Sequence, residues 1–144
     1  MLKQLDTSEL TGANLEHFMP YLNELVETMN HEISAERILE ALRANTISLA
    51  GWYAESPEGW KLGCYLIFEL EITDAGRALL ISGVVGDTFG DYEPFHEACI
   101  AAAKQNNCSK IKMKGRRGLW KMYRPLGYKE TYTVYTYDIL ESEK

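Results

Sequence analysis

Apolar side chains recur along this chain with two different periods, and the period changes where one element gives way to the next. Between Leu15 and Met29 they follow the three-four spacing of a single helix face. Pro20 lies inside that pattern, so we expect a break or a helix start near it. Ser34 is a typical N-cap for a second helix. Residues 1–10 predict a short first strand.

The middle of the chain alternates between apolar and polar positions, as strands do. A strand is predicted over Thr46–Tyr53, and the clearest strand follows over Lys61–Ile72. The apolar run Ala78–Val85 is typical of a central strand covered on both faces. Turn sequences at Ser56–Gly59 and Asp74–Gly76 leave only short connections. These three strands therefore predict an antiparallel meander. One face of the second strand is expected to carry Leu62, Cys64, Leu66, Phe68, Leu70 and Ile72.

The helical period returns after residue 90. Asp91 is a typical helix cap, and a strand follows over Ser109–Lys114. A strand, helix, strand order implies a crossover and a parallel pair. A short helix over Gly118–Leu126 and a final strand over Thr131–Leu140 complete the prediction. The chain is thus expected to form one α/β (α+β) domain over residues 1–144, with a mixed, mostly antiparallel sheet and helices on both faces.

Positive charge is concentrated in residues 104–129, which hold nine Lys or Arg and no Asp or Glu, although the whole chain has a formal net charge of −6. Such a segment is expected to hold an anion, either the phosphates of a ligand or a nucleic-acid backbone. Trp120, Tyr123 and Tyr128 lie among these charges and suit base stacking on a single strand. The alternatives are a solvated basic face that pairs with the acidic remainder of the chain, and aromatic residues of an ordinary core helix.

Several classes of protein are disfavoured by composition. No apolar run approaches the ~20 residues of a membrane span, and the first residues lack the apolar core of a signal peptide, so a cytoplasmic protein is expected. The cysteines are odd in number and widely spaced, which argues against a disulfide framework. No spacing of His and Cys predicts a metal site. His96 and Cys99 lie three apart on one predicted helix, and we interpret them as a buried Cys beside a helix His rather than a nucleophile pair.

The run Tyr123-Arg124-Pro125-Leu126-Gly127-Tyr128 resembles the Tyr-x-x-Leu-Gly-Phe pattern of the GCN5-related N-acetyltransferase (GNAT) superfamily. The order of elements resembles that superfamily over nearly the whole chain. The resemblance implies transfer of an acetyl group from acetyl-CoA to the amine of a small molecule or protein. It also implies that Tyr123 is the general acid that protonates the departing thiolate, since a phenol is neutral at pH 7. The alternative is that Tyr123 packs at a helix-to-strand corner.

The resemblance also assigns the remaining site residues. The parallel pair is expected to splay and admit the pantetheine arm, whose amides would pair with the backbone of Ile81, Gly83, Val84 and Val85. Arg116 and Arg117 would hold phosphate. Glu69, Glu71 or Asp87 would remove a proton from the acceptor amine. The alternatives are a solvated strand face for the two glutamates and an ordinary loop aspartate for Asp87.

One segment departs from the superfamily and supports a second hypothesis. The usual Arg/Gln-x-x-Gly-x-Gly/Ala turn that holds the cofactor pyrophosphate is replaced by residues 84–94, in which Asp87, Asp91 and Glu93 would repel an anion and Pro94 lacks an N–H. A short divergent chain with a Gly-Arg-Arg-Gly-x-Trp run ahead of the tyrosine, here residues 115–120, is similar to small acetyltransferase-like proteins encoded by bacteriophages. The second hypothesis is therefore a catalytically silent binding or structural module in a virion or the host cytoplasm, whose partners are virion or host proteins or nucleic acid.

Overall fold

A computed structural model describes residues 1–29, 32–86, 92–114 and 124–129, together with Tyr137 and Ile139. In chain order the described elements are β1 (Leu2–Leu5), α1 (Gly12–Thr28), α2 (Ala35–Arg43), β2 (Ser48–Ser56), β3 (Gly59–Thr73), β4 (Gly76–Gly86), α3 (Tyr92–Gln105) and β5 (Lys110–Met113). Single 3₁₀ turns lie at Thr7–Glu9 and Arg124–Leu126.

The described strands form one sheet in the order β1-β2-β3-β4-β5. The first three pairings are antiparallel, and β4 pairs with β5 in parallel. Two residues, Pro57 and Glu58, connect β2 to β3, and Asp74 and Ala75 connect β3 to β4. The predicted mixed sheet, its meander and its one parallel pair are therefore confirmed.

Helix α1 corrects the prediction made for Pro20. The helix runs without interruption from Gly12 to Thr28, and Pro20 lies inside it. Pro20 is exposed, so the Glu16 carbonyl that its missing N–H leaves unpaired faces the solvent side of the helix. Four buried side chains on the opposite face hold the helix against the sheet, namely Phe18, Leu22, Leu25 and Val26. Packing of this face outweighs the local cost of the proline.

Helix α2 begins where the sequence predicts. The Ser34 hydroxyl accepts a hydrogen bond from the Arg37 backbone N–H at 3.2 Å, which satisfies one unpaired donor of the first turn. Ile38 and Leu42 are buried, with 3% and 0% of their surface exposed. The cap and the inner face of this helix are thereby confirmed.

Helices cover both faces of the sheet and enclose two apolar clusters. The α1/α2-side cluster is built from Leu10, Phe18, Leu22, Leu25, Val26, Ile38, Leu42, Leu49, Tyr65, Ile67 and Val85. The α3-side cluster is built from Ala50, Trp52, Cys64, Leu66, Ile81, Phe95 and Cys99. Alternate residues of β3 point into the two clusters, as a strand covered on both faces requires.

A bulge in β3 corrects the predicted face of one residue. Trp52 is opposite Cys64 and Tyr53 is opposite Leu62, so Gly63 is an extra residue on β3. The extra residue reverses the alternation, and Leu62 therefore packs against the α1/α2-side cluster. The remaining residues of the predicted face follow the alternation, although Leu70 and Ile72 are 43% and 73% exposed.

Three predictions fall wholly or partly outside the described residues. The Asp91 cap lies outside them. The first part of the Gly118–Leu126 helix also lies outside, and its last three residues, Arg124–Leu126, form a single 3₁₀ turn. The final strand over Thr131–Leu140 also lies outside, except for Tyr137 and Ile139.

Candidate active site

Strand β4 extends well beyond its parallel partner. The pairing runs from Ala78 opposite Lys110 to Ile81 opposite Met113, and the Lys114 N–H donates to the Ile81 carbonyl at 3.0 Å. Residues 82–86 continue β4 past this point, and no strand in the described part of the chain pairs with their β5-facing edge. Backbone donors and acceptors are consequently available along this edge for a ligand that can pair with them.

A second bulge marks the point where the parallel pair ends. Ile67 is opposite Gly83 and Phe68 is opposite Ile81, so Ser82 is the extra residue on β4. The Ser82 hydroxyl donates to the Ile67 carbonyl at 3.4 Å. Bulges redirect a strand and occur often next to active sites. The free edge of β4 therefore begins at a built-in change of strand direction.

An aromatic group lies beside this edge on the α1/α2 side. Tyr65 is opposite Val85 in the sheet, and its ring packs edge-on against Phe18 and Tyr21 with centroids 5.0 and 5.1 Å apart. The His17 ring is 5.7 Å from Tyr21 and 6.5 Å from Tyr65. Edge-to-face packing of this kind is favourable for aromatic pairs. The sequence does not reveal this group, because α1 and β3 meet only in the fold.

The Tyr65 hydroxyl is the polar feature of this aromatic group. Only 7% of the Tyr65 surface is exposed, and burial raises its pKa to about 12, with the hydroxyls of Tyr53 and Tyr21 adding to the rise. No other described residue forms a hydrogen bond with this hydroxyl. Because no buried polar side-chain atom in the described chain lacks a partner, the hydroxyl must reach solvent. It is a neutral donor at the open end of the sheet.

The predicted cofactor residues of β4 occupy the edge and its start. Ile81 is 1% and Val85 6% exposed, with their side chains in the α3-side and α1/α2-side clusters respectively. Val84 packs partly against the α3-side cluster. A Cβ on Gly83 would lie 2.9 Å from Leu25 Cδ1, so α1 approaches β4 closely there. Since these side chains face the core, the strand offers a ligand its backbone.

The two predicted carboxylates of β3 lie toward the other end of β4. Glu71 is opposite Ala78 and forms an ion pair with Lys112, with about a third of each side chain exposed. Glu69 is opposite Leu80, is half-buried, and has no ion-pair partner in the described part of the chain. Glu69 is therefore nearer the free edge of β4 than Glu71. The predicted residues Asp87, Arg116, Arg117 and Tyr123 lie outside the described residues.

The start of α3 has little capacity to attract an anion. Glu93 lies in its first turn, and Pro94 follows without an N–H. The Glu93 carboxylate offsets the positive charge at the helix N-terminus, and it is this charge that usually favours phosphate. This part of the structure fits the pyrophosphate of a CoA cofactor poorly, whereas the free edge of β4 fits the amide-bearing arm.

His96 connects α3 to the end of the Tyr-x-x-Leu-Gly-Tyr motif. Its Nδ1 lies 3.1 Å from the Tyr128 hydroxyl, and the two rings pack edge-on with centroids 5.2 Å apart. Cys99 is 1% exposed in the α3-side cluster, and burial raises its pKa to about 12. Its thiol is therefore protonated at neutral pH, as expected for a buried structural Cys.

Within the described ranges, no group of three or more His, Cys, Asp or Glu is placed to hold a metal ion. None of the described helices is both long and apolar enough to cross a bilayer.

Comparison with solved structures identifies the architecture. The chain is similar to the ribosomal-protein-alanine N-acetyltransferase of Brucella melitensis biovar Abortus 2308, with 15% identity, 96% of this chain and 99% of that chain covered, and a TM-score of 0.62. It is similar to the glucosamine-6-phosphate N-acetyltransferase of Arabidopsis thaliana at 15% identity, with coverage of 96% and 97% and a TM-score of 0.61. A protein of Clostridium acetobutylicum described as a predicted acetyltransferase, solved with acetyl-CoA, has 13% identity, coverage of 98% and 97%, and a TM-score of 0.61.

No protein-family model and no curated protein matches the sequence. The class of fold is nevertheless plain, because the mixed sheet, its single parallel pair and its helices on both faces match acetyltransferase structures over nearly the full chain. The chain has the fold of the GNAT superfamily, as its element order suggested.

Proposed function

We propose that this chain transfers an acetyl group from acetyl-CoA to a primary amine of a small molecule or protein. The observation that carries the proposal is the free edge of β4 over residues 82–86, which begins at the Ser82 bulge where the pairing with β5 ends. Solved neighbours with this fold are acetyltransferases, and one was solved with acetyl-CoA. Bound acetyl-CoA supplies a thioester whose carbonyl carbon accepts the amine nitrogen.

In this proposal the backbone of β4 holds the cofactor arm. The N–H and C=O groups of Gly83, Val84 and Val85 pair with amide groups, and Ile81 closes the start of the edge. Arg116 and Arg117 bind phosphate bidentately, which offsets the unfavourable charge at the start of α3. The pairing orients the thioester and excludes water from it.

Proton transfers are assigned to one carboxylate and one phenol. Glu69, Glu71 and Asp87 are the candidates for taking the amine proton, and Glu69 is preferred to Glu71 because the Glu71 carboxylate is already held in an ion pair with Lys112. The nitrogen then bonds to the acyl carbon, the carbon–sulfur bond breaks, and Tyr123 donates a proton to the sulfur.

Titration of acetyl-CoA into the purified protein tests the cofactor site. Micromolar binding that Arg116→Ala/Arg117→Ala weakens by at least about tenfold supports the proposal, because each lost bidentate contact removes one or more kcal/mol. Arg37→Ala/Arg43→Ala, which removes the same charge from the surface of α2, is the matched control and leaves binding unchanged. No heat of binding at about 1 mM ligand contradicts the proposal.

Acetyl transfer to a panel of amines tests the general acid. Tyr123→Phe is expected to lower kcat by about 10² or more, the usual contribution of a positioned proton donor. Tyr137→Phe, at a position that is 78% exposed, is the control and leaves kcat unchanged. Equal rates for Tyr123→Phe and the wild type contradict the assignment.

A second candidate function is favoured by the start of α3. Glu93 and Pro94 replace the phosphate-binding features expected there, which supports a silent binding or structural module such as a virion component. The basic segment over residues 104–129 would then contact nucleic acid or a partner protein. Single-stranded DNA binding that falls steeply with salt, in a protein that does not bind acetyl-CoA, identifies this alternative.

A further inference from the structure

A groove of about 400 Å³ lies on the α3 side of the sheet, at the opposite end of α3 from the candidate active site. It is bounded by the last turns of α3 and by the ends of β1, β2 and β3 that lie beneath them. The free edge of β4 begins at Ser82, whereas the groove reaches only the first half of β4, at Leu79 and Ile81. Ile81 and Glu69 are the described residues that the groove shares with the candidate active site.

The floor of the groove is apolar. It is formed by Ala50, Leu66, Phe68, Leu79, Ile81 and Cys99. Leu66, Leu79, Ile81 and Cys99 are between 1% and 3% exposed, so these side chains belong to the packed core and support the floor from beneath. Phe68 is only half-buried and offers part of its ring to the groove. A ligand with a flat apolar face can therefore pack against this floor.

The rim of the groove is polar and almost uncharged. Amide and hydroxyl side chains surround the opening, namely Gln4, Asn45, Thr46, Ser48, Gln105 and Asn106. The Asn106 side chain donates to the Ala102 carbonyl and the Thr46 hydroxyl donates to the Ala41 carbonyl, whereas the side chains of Gln4, Asn45 and Gln105 have no hydrogen-bond partner in the described part of the chain. Glu69 is the single charged residue among the described lining residues, and the alternation of β3 directs its side chain to the face opposite Leu66 and Phe68. Several free donors and acceptors therefore converge on an apolar floor.

We propose that this groove binds a small uncharged molecule with an apolar ring face and hydrogen-bonding groups around its edge, a nucleobase or a sugar ring. The volume is within the range of small-ligand sites, roughly 300–1,000 Å³. Amide side chains pair with the edges of bases and with sugar hydroxyls, since each supplies both donors and an acceptor. Among the described lining residues no cation is present, so a phosphate group on the ligand would have no counter-charge in the groove.

Nuclear magnetic resonance of the isotope-labelled full chain, without acetyl-CoA, tests the proposal. The probes are adenosine and uridine in one arm and the methyl glycosides of glucose and galactose in the other, each to about 10 mM. Shifts of the Asn45 and Gln105 resonances in either arm support the site and identify which source of ring it prefers. AMP, which adds a phosphate to adenosine, is expected to bind no better than adenosine.

Two variants and a control locate the binding. Gln105→Ala removes one rim amide and is expected to weaken binding roughly five-fold. Ala102→Trp fills the groove from α3 and is expected to abolish binding. Lys104→Ala, an exposed neighbour on α3 outside the groove, leaves binding unchanged. No shift in either arm, tighter binding of AMP, or shifts that persist unchanged in Gln105→Ala and Ala102→Trp overturn the proposal, whether or not the chain binds acetyl-CoA.

Discussion

Gly86 occupies the tightest backbone contact among the described glycines. A Cβ added there would lie 2.5 Å from the Cys64 Cα, a backbone atom of the neighbouring strand that cannot move alone. The contact is created by the Gly63 bulge, which brings β3 toward the end of β4. A glycine is therefore required at position 86 for steric reasons, at the end of the proposed cofactor edge.

Gly86→Ala is expected to destabilise the protein by about 3 kcal/mol, the upper end of the usual cost of overpacking. Urea unfolding followed by circular dichroism measures the change. Gly59→Ala is the matched control, because Gly59 has φ +109° but a Cβ there meets nothing within 4 Å. Its cost is expected to be only about 1–2 kcal/mol of backbone strain. An equal cost for both variants would show that the close approach to β3 carries no penalty.

Within the proposed function we assign the Tyr65 hydroxyl to the site of the amine acceptor, because it is a donor that reaches solvent beside the free edge of β4. Tyr65→Phe removes the unpartnered hydroxyl and keeps the ring that packs against Phe18 and Tyr21. The KM for the amine acceptor is expected to rise about five-fold, the value of one neutral hydrogen bond, with acetyl-CoA affinity unchanged. Steady-state kinetics with each substrate varied in turn checks this. Unchanged acceptor KM would exclude the hydroxyl from the acceptor site.

At the scale of elements, α1 tolerates a proline that local rules place at a helix end. Pro20→Ala restores an N–H that can donate to the Glu16 carbonyl, while it also frees the unfolded chain. A net stabilisation of about 1–2 kcal/mol is expected from these opposing terms. Urea unfolding measures it. Glu24→Ala, at another exposed position of α1, is the control and stays within about 0.5 kcal/mol. Destabilisation by Pro20→Ala would show that the proline is required for packing.

The elements could be predicted from the sequence wherever one period holds over a whole segment. The alternation of β3, the turns at Ser56–Gly59 and Asp74–Gly76, and the parallel pair around α3 all follow from local pattern. The bulges at Gly63 and Ser82 could not be predicted, because each depends on the register with a neighbouring strand. One extra residue reverses the alternation across it, which is why Leu62 does not lie on the face that the sequence predicts for it together with Cys64.

The candidate site was predictable only in part, for the same reason. The resemblance directed attention to the end of β4, but the free edge exists because β5 stops at Met113 while β4 continues to Gly86. That difference in length is a property of two strands and not of either sequence alone. The aromatic group around Tyr65 likewise combines α1 and β3, which are far apart in the chain.

At the scale of the whole molecule, buried thiols couple stability to alkaline pH. Burial raises the pKa of Cys64 and of Cys99 from an ordinary 9.0 to about 12, with the neighbouring Cys99 adding to the rise at Cys64. The unfolded chain therefore loses these protons first as pH rises. The stabilisation is fully present below pH 9 and is lost as pH rises toward 12, by about 1.4 kcal/mol per pH unit for each thiol.

Urea unfolding at about pH 8 and about pH 10 tests this coupling. The double variant Cys64→Ala/Cys99→Ala is expected to lose less stability between the two pH values than the wild type, even if it is less stable at both. Cys108→Ala, at a half-exposed thiol, is the control and keeps the wild-type difference. An identical pH dependence in the double variant would show that other groups, such as Tyr65, account for the alkaline loss.

The unequal spacing of strand pairings along the chain sets an order in which the sheet assembles. Two-residue connections close the β2–β3 and β3–β4 hairpins, whereas Ala78 meets Lys110 only after the intervening chain has formed α3. Closing a longer loop costs more entropy, so β5 docks after the hairpins. A partly folded chain thus holds most of its sheet before the end of the β4–β5 pairing is defined. Within the proposed function, the gain of acetyl-CoA affinity during refolding is therefore expected to lag behind the gain of strand structure.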